Sequence, residues 1–503
     1  MTQVTPRPAQ GSAPARAPGE ARPAVPARPG VARRALLRLR LRSRPSRVVA
    51  VAVVAVAAVI ALFTVTNASI GNARDGLRVI GHQAGPQVVA TANLYFSLSD
   101  MDTQVSNILL YGNGKNGKVA LGFNRDQSLG VYDADRTAAD SAAMRALALT
   151  GSDPDQQATV QELLDGMGQY EQLAAQAIQL DQQSGHAPGA APANVLAVQR
   201  QATDLMRQSL LPKAYNLTLD SGSIVRRTYE DKRGAVLDGR WWVGLAGLGT
   251  VALLVALQVY LTMRFRRLVN PALALATVGC LVFTVLATLL LSSEADHLRE
   301  AKVRGFDPVL ALSRTRAISN AMNSDESRYL LDPARADTYD QTYLEKAQSI
   351  LYTPSVDLNG YNRGVNAAIG PAGVPKRPME GFIGVEAQHI TLPGQRAVVD
   401  RVLSGFRQFQ RSDARVRALA AKGDQRGAVA VRLGQAEGAT NVDFALYDLS
   451  TSSLIDIHQQ TFTQAIADGD AAVGGWNIAL PVTGLLVVAL IVVGVRPRVA
   501  EYR

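Results

Sequence analysis

The stretch Gly112-Asn-Gly-Lys-Asn-Gly-Lys-Val119 comes within one residue of a phosphate-cradling loop. In such a loop glycine-rich backbone N–H groups hold the phosphates, and a lysine and a hydroxyl complete the site. Here the last position is Val119, so the hydroxyl that would hold magnesium is missing, and the segment follows a helical pattern rather than a strand. It reads as the tip of a helical bundle. Asp100 and Asp102 are two residues apart, which on a helix turns them about 200° away from each other, so they do not form a carboxylate pair. His82, His186, His297, His389 and His458 show neither H-x-x-x-H nor H-E-x-x-H spacing, and each reads as a solvated or satisfied structural histidine. Cys280 is the sole cysteine; it excludes an intrachain disulfide or a Cys-based zinc site and reads as a small buried hydrophobe. No Ser-His-Asp arrangement is suggested. The expectation is therefore a protein with no catalytic, cofactor or metal residues, not an enzyme, whose ligand-binding residues the sequence leaves unidentified.

The elements that would position such residues begin with a charge asymmetry. The net charge of the 503 residues is +10, and residues 1–47 alone, with eleven arginines and one acid (Glu20), account for all of it. That tail is rich in Pro, Ala and Arg, cannot bury a core, and reads as a disordered cytoplasmic segment rather than a nucleic-acid module. Its last part, A-R-R-A-L-L-R-L-R-L-R-S-R-P-S-R, abuts an apolar run. It reads as a positive-inside flank touching anionic lipid, with docking of a cytoplasmic partner as the other reading.

Four charge-free runs are long enough to cross a bilayer, which takes about 20 residues. The expected transmembrane helices are 48–68, 241–263, 271–292 and 475–495. The first is too long, and too poorly closed, for a cleaved signal. Arg42, Arg44 and Arg47 precede the first span, Arg264, Arg266 and Arg267 lie in the 264–270 loop, and Arg496 and Arg498 lie in the 496–503 tail. The opposite flanks mix signs (E-D-K-R at 230–233, E-A-D at 294–296, D-G-D at 468–470). Both termini are therefore expected in the cytoplasm of a multi-pass plasma-membrane protein. Trp241, Trp242 and Trp476 fall at the outer ends of spans and read as interface anchors. The absence of charge inside the spans argues against a transporter.

Residues 69–240 and 293–474 then form two extracytoplasmic domains, which align on each other. Asp75, Leu77, Arg78, Val88, Ala90, Met101, Leu109 and Leu110 match Asp296, Leu298, Arg299, Val309, Ala311, Met322, Leu330 and Leu331, with Pro86 and Pro308 one residue out of step. In the first domain, apolar residues at 77, 80, 84, 94, 98, 101, 105 and 108 make a bundle seam. Asp153-Pro154 predicts a helix start, and Asp332-Pro333 predicts another. Pro86 and Pro308 are expected to kink or break the helices that leave the membrane. The expected fold is an all-α membrane protein: four transmembrane helices and two duplicated, four-helix-bundle-like outside domains.

The helix T-A-N-L-Y-F-S-L-S-D-M-D-T-Q-V-S-N-I-L-L resembles the four-helix-bundle sensor modules of bacterial chemoreceptors and histidine kinases. With G-F-I-G-V-E-A-Q-H-I-T-L-P-G-Q-R (381–396), the layout after the tail resembles the actinobacterial GlnX proteins. That resemblance implies a relay of amino-acid status from an extracytoplasmic solute-binding lipoprotein (GlnH) to a cytoplasmic Ser/Thr kinase (PknG). It carries over no functional residues. Membrane lipid, such a lipoprotein and such a kinase are the expected partners, nucleic acid is not, and the oligomeric state is left open. The other readings are a structural or envelope-assembly protein and a transport accessory.

Overall fold

A computed structural model describes residues 44–113, 125–150, 153–265 and 270–500. The basic tail with Arg42, residues 114–124 of the expected bundle tip, Arg266 and Arg267 lie outside the described residues, as do the side chains of Arg44, Arg47, Arg264 and Arg498. Among the described residues the fold is nearly all helix without a strand.

Four rods dominate, Val48–Tyr111, Ala193–Met263, Pro271–Leu331 and Thr440–Pro497, of 64, 71, 61 and 58 residues. At about 1.5 Å per residue a rod of this size is ~90 Å long, and the hydrocarbon of a bilayer takes up about 30 Å of that. Most of each rod therefore stands outside. The most apolar windows are only 22–33% buried against the rest of the chain. Val53, Leu248, Leu275, Leu289, Ile478 and Leu485 point outward, more than half exposed. Apolar surface on this scale belongs against lipid, and the chain is a multi-pass membrane protein.

Helix α1 (Arg44–Leu77) runs through a π-helical turn (Arg78–Ala84) into α2 (Gly85–Tyr111). Helices α3 (Arg125–Leu149) and α4 (Pro154–Ser184) fold back on it. Helix α5 (Ala193–Leu205) leads through a second π-turn (Met206–Leu210) into α6 (Leu211–Phe265), which re-enters the membrane region. The order recurs in α7 (Pro271–Glu300), a third π-turn (Ala301–Phe306) and α8 (Asp307–Leu331). There follow α9 (Ala336–Ile350), the short α10 (Leu358–Ala368) and α11 (Phe382–Gln388), α12 (Gln395–Ala421), α13 (Gln425–Leu433) and α14 (Thr440–Gly474). Helix α15 (Trp476–Ala500) closes the chain.

Each π-turn ends two residues before a proline: Pro86, Pro212 and Pro308. Proline has no N–H to donate, and its ring collides with the carbonyl four residues back. Widening the coil by one residue just before it relieves both problems. The rods thus run on without the break that the sequence allows for at these prolines, a correction with a specific cause.

In the membrane region α1, α7, α15 and the end of α6 pack as a four-helix bundle. Leu62, Val243, Ala287 and Ile491 are buried there, as is Cys280. Phe63 stacks on Phe283 at 4.3 Å, and Trp476 leans on Phe283 at 5.8 Å. Trp241 and Trp242 project outward, 66% and 64% exposed.

Outside, α2, α3, α4 and the α5–α6 rod form the first unit, and the predicted seam from Leu94 to Ile108 is its core. Asp153 caps α4 as predicted, accepting from the N–H groups of Asp155 and Gln156 with Pro154 at the first position. Asp332 does not cap: Pro333–Arg335 forms a 3₁₀ turn, and the Asp332 carboxylate is drawn away to Arg200, at 2.7 and 2.8 Å. Helices α8, α9, α12 and α14 frame the second unit around Tyr343, Phe406, Phe409 and Tyr447. The two units are joined: Leu330, Leu331, Val416, Val429 and Leu433 of the second bury themselves in the core of the first.

Candidate functional site

The join is built on α2 and α8. Asn320 Nδ2 donates to Asp100 Oδ1 (3.0 Å), and Ser327 Oγ donates to Asn107 Oδ1 (2.7 Å); both pairs link residues 220 apart. A constant offset is what two helices running the same way in fixed register must show. Around this seam the run Asn323-Ser-Asp-Glu-Ser-Arg328 is buried throughout. In isolation such a run reads as a solvated face, because Asp, Glu and Arg are almost never fully buried unless paired.

Asp102 is at the centre, 2% exposed. It accepts from Tyr170 OH (3.2 Å) on α4 and from Thr203 Oγ1 (3.1 Å) on α5, and it is ion-paired to Arg328 on α8. Arg328 also holds Asp325 at 2.7 Å, and Asp325 accepts from Thr342 (2.9 Å) and pairs with Lys346, both on α9. One carboxylate thus ties together α4, α5 and α8, and the next ties α8 to α9. Burial alone would raise the Asp325 pKa, but Lys346, Arg328 and Arg207 hold the carboxyl below its ordinary range. A second buried pair, Glu326 with Arg432, bridges α8 and α13, and Arg432 also donates to the Asn323 carbonyl (3.1 Å). These groups neutralise and orient one another, and the arrangement holds the helices in a fixed geometry.

Asp100 and Asp102 face different partners, as their spacing requires. Asp100 does have a carboxyl neighbour that the sequence does not reveal, Asp135 from α3. Burial, a hydrogen bond to Asp100 and the charge of Asp100 push Asp135 up to about 9, so at neutral pH it is the protonated member.

The segment 381–396 also acquires a structural meaning. It wraps α11 against α12 and α14. Gln395 Nε2 donates to Glu386 Oε1 (2.7 Å), and His458 Nε2 donates to the same oxygen (2.8 Å). His458 Nδ1 donates to the Arg304 carbonyl (2.6 Å), inside the third π-turn. Burial would lower the His458 pKa, but the Glu386 hydrogen bond, the Arg304 carbonyl and the Glu386 charge together raise it. The remaining histidines are bonded singly at the surface or, for His186, to Asp181 at 2.6 Å.

Two adjoining cavities open along the join. One, of about 310 Å³, is floored by Asp102, Arg328 and Lys346 and walled by Tyr95, Arg207 and Tyr215. The other, of about 200 Å³, is more apolar and shares Tyr95 and Tyr215 with the first, adding Leu310, Arg314 and Phe382. The Tyr95 and Tyr215 rings lie 6.0 Å apart between them. Phe382 begins α11, one turn before Glu386.

Residues 76–230 match the family profile of the actinobacterial sensor domain. The match takes in the first two π-turns, the first unit and the start of α6. No curated protein and no solved structure matches the chain.

Among the described positions singled out from sequence, the join uses none of the tryptophans, and Arg496 is exposed at the end of α15. The residues that matter here, Asp102, Asp325, Arg328 and Lys346, each look unremarkable until their partners are known. The legible signal was acids and an arginine interrupting an apolar stripe, as in M-D-T at 101–103 and S-D-E-S-R at 324–328.

Proposed function

We propose that this chain is a membrane sensor or signal-relay protein, and that the cleft between its two outside units is where its state is set. One observation carries the reading: the cleft walls are α2, α6 and α8, and each continues without a break into a membrane-crossing rod. Whatever changes the spacing of these helices must move the spans. The π-turns lie on that route, and the Phe382–Glu386–His458 path leads from the cleft to the third of them. The sensor-domain match over 76–230 supports the same role.

The finer reading places both termini in the cytoplasm and the cleft outside. It treats the two units as copies of one ancestor, supported by the matching π-turn and proline in the two halves. It has the protein pass amino-acid status, through a binding lipoprotein, to a separate cytoplasmic kinase. Crosslinking the tagged protein in its native membrane and identifying what is captured tests it. Recovery of a solute-binding lipoprotein and a kinase, changing with glutamate or aspartate supply, is the expected result. Recovery of wall-synthesis or division proteins alone, indifferent to amino acids, overturns it in favour of an envelope-assembly role.

A further inference from the structure

The larger cavity has more positive charge than its own walls neutralise. Arg328 and Lys346 are set against Asp102 and Asp325, while Arg207, from the second π-turn, makes no ion pair or hydrogen bond to any described residue. Three cations therefore face two carboxylates. Lys346 feels this excess: burial, Arg328 and Arg207 lower its pKa, outweighing the pull of Asp325. Two polar atoms at the cavity are also unpartnered. Ser99 Oγ and Arg328 Nε, on residues each 2% exposed, have no hydrogen-bond partner among the described residues. Buried polar groups rarely go unsatisfied, and a cluster of them beside an uncompensated cation marks a place prepared for an acceptor that is negatively charged. The neighbouring cavity has a different character. It is lined by Leu219, Leu310, Ala311 and the rings of Tyr95, Tyr215 and Phe382, with the Arg314 guanidinium stacked on Tyr215 (4.6 Å) and Phe382 (5.0 Å).

We propose that the cleft directly binds a small organic carboxylate with an apolar or aromatic body. The carboxylate takes the donors of Arg207, Arg328 and Ser99, and the body lies along the Tyr95–Tyr215 pair toward Leu310 and Phe382. Such a ligand touches α2, the second π-turn, α6, α8 and α11 at once, so it can set the spacing of three membrane-connected rods. It rests on the sensor reading only in making the cleft the point where the signal enters.

The test uses the full chain in lipid nanodiscs. Binding of phenylacetate, indole-3-acetate and acetate is measured by calorimetry, beside the uncharged phenylacetamide. The expected result is that the aromatic acids bind, acetate binds more weakly, and the amide fails to bind. Arg207→Met, which breaks no ion pair or hydrogen bond among the described residues, lowers affinity on the order of tenfold or more, the cost of a charge-assisted hydrogen bond. Ser99→Ala gives a smaller loss. Absence of binding by every acid, equal binding of acid and amide, or an unchanged affinity in Arg207→Met overturns the site. A disulfide-crosslinking readout between cysteines placed on α1 and α7 separates this from the relay. Acid binding that leaves the crosslinking unchanged keeps the site and removes the relay. Crosslinking that responds to amino acids and the lipoprotein, in a protein that binds no acid, keeps the relay and removes the site.

Discussion

At the scale of single residues the join is held by charges that are mostly buried and paired, so its energetics are those of removal, not addition. Taking away one partner of a buried pair costs about 3–5 kcal/mol, because the other is left uncompensated. Asp102→Leu is therefore expected to destabilise by about that amount in a thermal melt. Asp102→Leu combined with Arg328→Met is expected to cost clearly less than the two singles together, since neither charge is then stranded. Two side chains give the fold a pH dependence of the same sign for different reasons. The folded value of Asp135 is raised from 3.8 to about 9, so between those limits the folded state binds more protons than the unfolded one, and stability falls as pH rises. Asp135→Asn removes that dependence, and its advantage in melting temperature over the natural chain is expected to widen from pH 5 to pH 9. His458 is raised above 6.5, so its contribution is complete below that value and is lost as pH climbs through the shifted one. The deficit of His458→Gln is accordingly expected to be largest near pH 5.5 and to shrink toward pH 8.5.

At the scale of elements the π-turns are the places where the outside units meet the spans, and α14 is pressed against two of them. A Cβ on Gly305 would lie 2.6–2.9 Å from Phe462 Cβ, Cα and N, which are largely backbone and cannot yield. One on Gly81 would come nearest to the Ile466 side chain, at 2.5 and 3.1 Å. Gly305→Ala is expected to cost about 1–3 kcal/mol as overpacking, with Gly81→Ala markedly milder, both read from melting in detergent. Much at this scale could be read from the chain alone. Charge-free runs are a one-dimensional signal, and so is the 3-4 stripe from Leu94 to Ile108, whose every member is buried. The Asp153 cap was legible because the N–H groups that donate to it lie within three residues. Asp332 carries the same local signal and fails, because Arg200, 132 residues earlier in the chain, competes for its carboxylate. The cleft was not legible for the same reason. Arg328 is explained by Asp102, 226 residues away, and no periodicity records a partner at that distance.

At the scale of the whole molecule the two halves are interdependent. The first unit's core includes side chains from α8, α12 and α13, so isolating residues 69–240 exposes Leu109, Leu110 and their neighbours to water. The outside region is expected to melt in a single calorimetric transition, and the isolated first unit to show exposed apolar surface by dye binding. Two separate transitions in the full chain would show that the shared core does not couple the units.

The seam between α2 and α8 also limits how such a molecule can move. Two of its polar pairs share one offset, and the ion pair between Asp102 and Arg328 lies beside them. Sliding one rod past the other, even by the rise of a single residue, would pull these pairs apart together. The contact is therefore stiff to a piston stroke, and if the cleft sets the state of the spans, as proposed above, the expected movement is a splaying of the rods rather than a slide.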